Sequence, residues 1–275
     1  MILKLHTPAF PLNRYIEQFV YYEGIEVAHS LDRFLPDGNT EIIIDLTEHP
    51  QSIYDNETLK EIQVCRDAWV SGVRTQPITI PSGKGSRMLI VAFKKGGARP
   101  FYPFPMTEIT DWVVGADLIF GNNFHRLREQ ILHAPSVEIM FSLVEQFLLQ
   151  CGGEALHADA ATRCVDYAVS TIVKKPDAVG FRDFSSIVGY SQKHFIDLFK
   201  RHVGVPPKQF LKIMRFQKAI LEIERGRFVN WNQIARESGF YDQAHFIHDF
   251  KGFSGFTPVE YMNRKTDMLN YVPVQ

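Results

Sequence analysis

An internal repeat in the C-terminal half constrains the fold more than any other feature of the sequence. Displaced by 51 positions, residues 191–210 align with residues 242–261 at eight identical positions. Chance would supply about one. The identical pairs are Gln192/Gln243, His194/His245, Phe195/Phe246, Ile196/Ile247, Phe199/Phe250, Lys200/Lys251, Gly204/Gly255 and Pro207/Pro258. We therefore expect two copies of one supersecondary unit.

Each copy is predicted to begin a helix. Ser191 and Asp242 stand at the two starts, and their side-chain oxygens can accept the free amide hydrogens of a first helical turn. At about 100° per residue, one apolar stripe then runs along each helix. The stripes consist of Phe195, Ile196 and Phe199 in the first copy and Phe246, Ile247 and Phe250 in the second. We expect both stripes to be core.

The opposite face of each helix is polar and is the candidate binding surface. It carries Lys193, His194, Asp197 and Arg201 in the first copy and Ala244, His245, His248 and Gly252 in the second. Gln192, Gln243, Lys200 and Lys251 lie beside these residues. If the face meets DNA, the two lysines are expected on phosphates, while Asp197, Gln243 and His248 are suited to base edges.

A short helix is predicted before each of these helices. Upstream of the caps the offset becomes 50, pairing Gly189 with Gly239 and Ser185 with Ala235. In the second copy Asn230 can cap the short helix, and the small Ala235 allows two helices to cross closely. Helix, glycine-containing turn and capped helix form the helix-turn-helix pattern, whose second helix enters the major groove of DNA. A helix opening at Pro206–Pro207 and ending near Glu224 should join the two units.

Charge is distributed unevenly along the chain. Residues 1–153 hold 13 basic against 18 acidic residues, whereas residues 154–275 hold 17 against 13. The segment 174–227 is more strongly basic, with 12 against 5. Such a segment suits the neutralisation of phosphates, although a solvated helix face would have a similar composition.

The C-terminal part resembles the AraC/XylS family of transcription regulators. The segment IARESGFYDQAHFIHDFKGFSGFTPVEY, residues 234–261, is similar to that family's signature, and the likeness extends over about residues 154–265. Two positions depart from the pattern, since Ser185 replaces a small apolar residue and Met262 replaces a basic one. The resemblance implies sequence-specific binding to double-stranded DNA.

The N-terminal part is predicted to be β-rich. Short strand-like runs such as residues 15–24, 40–46, 68–74, 77–81 and 88–93 are separated by turn residues, as in a small antiparallel barrel or sandwich. Two amphipathic helices divided at Pro135 follow over residues 123–150. In the AraC/XylS family such a domain resembles a cupin-like barrel that senses a ligand and often dimerises.

A ligand site is expected inside the barrel. Arg74 is the candidate there, because a buried guanidinium needs an anionic partner, and Tyr54, Trp69 and Phe93 are further lining candidates. We predict no catalytic residue, metal or cofactor. His6, His29 and His49 are scattered rather than paired as in a metal-dependent oxygenase. The alternative is an enzyme or alkyl-acceptor domain fused to a DNA-binding domain, for which Cys65 would be the nucleophile, although it alternates like a strand core residue.

The expected architecture is therefore α+β with two domains. A cupin-like sensing or dimerisation domain spans residues 1–153, and an all-α DNA-binding domain spans 154–275, with a hinge at Cys151–Gly152–Gly153. The two helix-turn-helix units cover about residues 183–201 and 231–251. Expected partners are DNA, a small-molecule effector, a second copy of the chain and RNA polymerase. No run of 18 apolar residues occurs, so we expect a cytoplasmic protein rather than a membrane protein.

Overall fold

The computed structural model describes residues 1–157, 159–178, 190–226 and 230–274. Its strands are β1 Ile2–His6, β2 Ile16–Glu23, β3 Leu31–Phe34, β4 Glu41–Asp45, β5 Gln51–Tyr54, β6 Glu61–Cys65, β7 Ala68–Ser71, β8 Ile78–Pro81, β9 Arg87–Phe93, β10 Val113–Gly115 and β11 Tyr271–Pro273. One sheet has the order β1-β2-β9-β4-β7-β10 and the other β11-β3-β8-β5-β6. Neighbouring strands pair antiparallel, so the predicted antiparallel β-rich N-terminal part is confirmed.

The middle of β4 is apolar on both faces of the six-stranded sheet, which explains its unbroken isoleucine run. Successive side chains of a strand point to opposite faces. Ile42 and Ile44 belong to the core between this sheet and the helices that follow it. Ile43, between them, lines a cavity that separates the two sheets. The cavity therefore takes the place of an ordinary sandwich core.

Three helices follow the sheets and cover the outer face of the six-stranded sheet. They are α1 Ala116–Phe120, α2 Asn122–Leu132 and α3 Val137–Gly152. The side chain of Ser136 caps α3 by accepting the amide hydrogen of Ile139. The prediction of two amphipathic segments divided at Pro135 is thus confirmed. Gly153 ends α3 with a φ of +45°, whereas the hinge and the domain boundary placed there stay predictions.

The C-terminal part of the chain is helical, as predicted. Its described helices are α4 Ala160–Lys174, α5 Gln192–Val203, α6 Pro207–Arg225, α7 Trp231–Glu237, α8 Gln243–Ser254 and α9 Pro258–Arg264. The connecting helix α6 is confirmed, with Phe210, Met214, Ala219 and Ile223 buried along one side. The predicted short helix of the first unit, with Ser185, and its turn residue Gly189 lie outside the described residues.

The end of the chain returns to the N-terminal part, which the sequence analysis did not anticipate. Strand β11 pairs antiparallel with β3, and Val272 is fully buried in a core that also holds Leu35 and the C-terminal helices. Across the same seam the Thr110 hydroxyl donates to the Gly204 carbonyl at 2.8 Å. The Gln217 amide donates to the Pro36 carbonyl at 2.7 Å. Leu35 and Val73 of the β-rich part therefore belong to the apolar core of the C-terminal helices.

No helix within the described ranges combines the length and the apolar character that crossing a membrane requires.

Candidate nucleic-acid interface

The two repeated helices, α5 and α8, have the same length and the same caps. Ser191 Oγ accepts the amide hydrogen of His194 at 3.3 Å, and Asp242 Oδ1 accepts that of His245 at 2.8 Å. Both helices end at a glycine in the left-handed region, Gly204 with φ +97° and Gly255 with φ +76°. Glycine favours this conformation because it has no Cβ. The sequence repeat is therefore a structural repeat.

The aromatic side of each helix is core, with one correction. Phe195, Phe199, Phe246 and Phe250 are buried. Ile196 was predicted to belong to the same stripe, but 36% of its surface is exposed. Its side chain projects about 100° around the helix from Phe195, at the margin of the stripe. Only the central phenylalanine rows are buried as predicted.

The outer face of α5 is polar and open. Its exposed residues are Gln192, Lys193, His194, Asp197, Lys200 and Arg201. Asp197 Oδ2 lies 3.0 Å from Arg201 Nε, and both side chains remain more than half exposed. This pair fixes the two side chains relative to one another while leaving hydrogen-bonding atoms free for a ligand. The His194 ring packs against Tyr190 with the centroids 4.9 Å apart.

The outer face of α8 is less uniform. Ala244, His248 and Lys251 are exposed, and Gln243 is partly buried. One nitrogen of the His245 ring accepts a hydrogen bond, and the other lies close to an acid. Its Nε2 lies 3.2 Å from Asp249 Oδ2, and its Nδ1 accepts the Tyr241 amide hydrogen at 3.4 Å. His245 therefore binds its own helix, in contrast to the freely outward orientation that the sequence analysis expected.

Asp249 is a residue that the sequence analysis missed. It is only 9% exposed, and the Lys212 ammonium of α6 lies 3.2 Å from its Oδ2. It therefore connects the connecting helix to α8. The sequence repeat could have indicated that Asp249 is unusual, because Leu198 occupies the equivalent position in the first copy. An acid where the other copy has leucine indicates a buried ion pair.

The short helix before α8 is positioned as predicted. Asn230 caps α7 by accepting the Gln233 amide hydrogen at 3.2 Å, and Ala235 is buried at the crossing. Gly239 in the turn has a φ of +84°, and a Cβ there would lie 2.7 Å from the Cα of Asp177. This close approach requires glycine.

A cleft of about 880 Å³ lies along the outer face of α8. Ala244, His248 and Lys251 form one wall, and Thr75 and Gln76 of the N-terminal part lie among its other lining residues. The polar face of α8 therefore lies opposite Thr75 and Gln76 of the β-rich part of the same chain.

The second candidate site is the cavity between the two sheets, which measures about 1150 Å³. Trp69 and Phe93 line it, whereas Tyr54 and Arg74 do not. Arg74 was predicted to lie on a strand and to face a ligand, but β7 already ends at Ser71. The Arg74 guanidinium instead donates to the Asp111 carbonyl at 3.0 Å. Arg74 therefore neither lies on a strand nor lines this cavity, and its role in binding a ligand stays a prediction.

Two further features bear on the enzyme alternative. Within the described ranges, no group of three or more His, Cys, Asp or Glu side chains could hold a metal ion. The thiol of Cys65 is buried, and burial raises its pKa to about 11. A thiol with so high a pKa forms little of the nucleophilic thiolate near neutral pH.

Several solved structures are similar to this chain. ToxT from Vibrio cholerae has a TM-score of 0.46 and 14% identity, covering 89% of this chain and 98% of that one. An AraC-type DNA-binding domain-containing regulator from Chromobacterium violaceum has a TM-score of 0.35 and 22% identity, covering 38% of this chain and 92% of that one.

Comparisons of sequence give a domain assignment. An uncharacterized HTH-type transcriptional regulator from Haemophilus influenzae is 32% identical over 71 residues, which are 26% of this chain and 24% of the relative. The chain thus spans about a quarter of the length of that curated relative. Residues 4–115 match a domain of unknown function (DUF6597), and residues 184–264 match the helix-turn-helix domain model. The C-terminal segment 184–264 of this chain accordingly belongs to the helix-turn-helix domains of the AraC type.

Proposed function

We propose that the protein is a sequence-specific DNA-binding transcription regulator whose helices α5 and α8 enter two successive segments of the major groove. One observation carries this proposal. The chain builds the same capped helix twice, each time on a buried phenylalanine pair and with a polar outer face. A protein that reads two sites on one duplex needs two such helices about one turn of DNA, roughly 34 Å, apart.

The polar residues divide into two roles. Lys200 and Lys251 occupy equivalent positions and are exposed, which suits phosphate contacts that position the protein without reading sequence. Asp197 can accept a hydrogen bond from a cytosine amino group, and His248 and Gln243 can meet purine edges. Gln192, Lys193, His194, Arg201 and Ala244 complete the proposed contact surface. His245 keeps a place in it as a positioning residue, since its ring is held by Asp249.

The test is selection of bound sequences from a random duplex library by the full-length protein at two salt concentrations. We expect two short elements about one helical turn apart, with affinity falling as salt rises because bound lysines release counterions. Lys200→Ala should weaken binding to every sequence about equally. Lys60→Ala removes an exposed lysine from the β-rich part and is the matched control. Enrichment of no sequence, or equal effects of the two lysine variants, would contradict the proposal.

We also propose that the N-terminal part senses an effector and has no catalytic activity. In addition, we propose that the protein forms a homodimer. Strand β6 is the edge of the five-stranded sheet, and its Ile62 and Val64 are exposed. An open apolar edge strand favours pairing with a second copy. Light scattering should therefore show a dimer for the wild type and a monomer for Ile62→Lys; a monomeric wild type would exclude this interface. RNA polymerase would be a partner of the DNA-bound form.

A further inference from the structure

A row of polar side chains crosses the cavity face of the six-stranded sheet near one end. Strand register places Gln18 opposite Ala92, Ala92 opposite Glu41, and Glu41 opposite Ser71. All four residues line the cavity. Because alternate residues of a strand share a face, their side chains lie side by side on the cavity wall. This end of the cavity therefore carries a carboxyl, an amide and a hydroxyl group together.

Within the part of the chain that the structure describes, these three polar groups have no hydrogen-bond partner. Among the residues that the structure describes, none donates a hydrogen bond to, or accepts one from, the side chain of Gln18, Glu41 or Ser71. The three side chains are only partly buried and face the cavity. Their hydrogen-bonding atoms are therefore open to a polar group that enters it.

The charge around Glu41 favours a cation. Asp37 accepts hydrogen bonds from Asn39 at 3.0 and 2.8 Å. Burial raises the pKa of Asp37, while these hydrogen bonds and the positive charge of Lys95 oppose the rise. Glu41 has no such partner. Burial and the neighbouring Asp37 charge together raise the pKa of Glu41 to about 8. Glu41 is therefore mostly protonated at pH 7, and it adds an unbalanced negative charge to Asp37 and Lys95 only when it releases that proton.

The other ionisable groups do not balance that charge. Tyr22 and Tyr271 face Glu41, and the pKa of each phenol is raised, chiefly by burial. At the end of the cavity nearest α4, the lining groups of both signs are Arg14, Glu17, Lys94, Asp166 and Lys174. Of these, the Lys94 ammonium donates to the Asn13 carbonyl at 2.7 Å. Acids and bases are mixed there, whereas Glu41 stands unpaired in its row.

The part of the cavity wall next to the polar row is apolar. The next row across the same sheet is Val20, Ile90, Ile43 and Trp69. The opposite sheet contributes Phe34, Ile53, Ile78 and Ile80. The volume of the cavity, about 1150 Å³, exceeds the roughly 300–1,000 Å³ usual for small-molecule sites. This size therefore suits an extended or ring-containing apolar body.

We propose that this cavity binds a small apolar amine, with its ammonium group on Glu41, hydrogen bonds to Gln18 and Ser71, and its apolar body along Ile43, Ile90 and Trp69. The proposal deepens the effector role given above and rests on it for its biological consequence, but binding is measured without DNA. Failure to bind an amine would therefore leave the DNA-binding proposal untouched, and the reverse also holds.

The experiment is isothermal titration calorimetry of the full chain with three probes that share one alkyl body: octylamine, octan-1-ol and octanoate. We expect octylamine to bind at least ~10-fold more tightly than octanoate, because the row offers a carboxyl group and no free cation. Glu41→Gln should weaken octylamine at least ~10-fold and leave octan-1-ol unchanged. Glu48→Gln, which alters an exposed acid just beyond the same strand, should change neither.

Proton release gives a second readout. A carboxyl with a pKa of about 8 is mostly protonated at pH 7 and must lose its proton to pair with an ammonium group. Titrations in two buffers of different ionisation enthalpy should therefore show release of about one proton per octylamine. This release should be absent in Glu41→Gln and absent for octan-1-ol.

A cavity-filling variant, Ile43→Trp, locates the bound probes. It should abolish binding of both octylamine and octan-1-ol while thermal unfolding shows that the protein still folds. The proposal is overturned if the wild type binds none of the three probes, if octanoate binds more tightly than octylamine, or if Glu41→Gln leaves octylamine unaffected. Undiminished octylamine binding to folded Ile43→Trp would also overturn it, because the amine would then lie elsewhere.

Discussion

Nε2 of His245 lies 3.2 Å from the carboxylate of Asp249, one turn further along α8. The same carboxylate meets the Lys212 ammonium of α6 at 3.2 Å. Asp249 thus holds the connecting helix and the proposed recognition helix at a fixed rotation relative to one another. In the first copy the equivalent residue is Leu198, so the two proposed DNA readers are fixed by different interactions.

Asp249→Ala should lower the free energy of unfolding by about 1–2 kcal/mol. Part of the usual cost of breaking a buried ion pair is absent, because Lys212 and His245 are about one-third exposed and can be solvated. DNA affinity should fall for all sequences alike, since α8 loses its fixed rotation. Chemical denaturation and DNA titration measure the two effects. Asp267→Ala, at an exposed acid, is the control, and an equal loss in both variants would contradict the role of Asp249.

His245→Ala and His248→Ala should separate positioning from reading. The His245 ring is held by Asp249, whereas His248 is exposed on the outer face. We expect His248→Ala to change the preferred base at one position of the selected element, by about 1–3 kcal/mol of discrimination. His245→Ala should keep the preference and lose affinity. Selection from the random library with each variant tests this, and an unchanged preference in His248→Ala would remove it from the base contacts.

Much of the C-terminal part could be predicted because its determinants are local. A cap residue and the phenylalanines four apart specify a helix and its buried side within one stretch of chain, and the repeat supplies each observation twice. Ile196 was misassigned because the edge of an apolar stripe depends on what packs beside the helix. The rotation set by Asp249 depends on Lys212, which is 37 residues away.

The N-terminal part was predictable in its strands but not in its site. Short strand-like runs between turn residues located β2, β4, β7, β8 and β9, yet they could not show that the face containing Ile43 borders a cavity rather than a second layer. Strand β11 has only three residues and pairs with β3 from the far end of the chain, so no local sequence pattern predicts it. Arg74 was predicted to need an anionic partner as a buried cation, but its guanidinium donates to the backbone carbonyl of Asp111, 37 residues away.

Substitution by alanine should have opposite effects on stability at two glycines near the C-terminal end of α8. Gly252 lies within the helix, and a Cβ there would meet nothing within 4 Å. Gly252→Ala should therefore stabilise the protein by about 0.5–1 kcal/mol. Gly255 has a φ of +76°, and a Cβ would collide with the Arg33 guanidinium, which also packs on Phe256. Gly255→Ala should destabilise by more than ~1 kcal/mol. Thermal unfolding of both variants checks the contrast; a stabilised Gly255→Ala would contradict the close contact at this seam.

The unpaired carboxyl of Glu41 should make stability depend on pH in a direction opposite to that of an ion-paired acid. Burial and Asp37 raise its pKa in the folded protein from 4.5 to about 8, so the folded state keeps a proton that the unfolded state releases. Stability from this group is therefore fully present below pH 4.5 and decreases as pH rises towards 8. Glu41→Gln removes the titration, so its melting temperature should exceed that of the wild type by at least ~2 °C at pH 8.5. The difference should shrink towards zero at pH 5, where both side chains are neutral.

Thermal unfolding of the two proteins without ligand, followed across this range, tests the sign, and Glu48→Gln serves as the control. A difference that is constant with pH would mean that Glu41 is ionised and paired in the folded protein, in which case the cavity offers no free carboxylate to an amine.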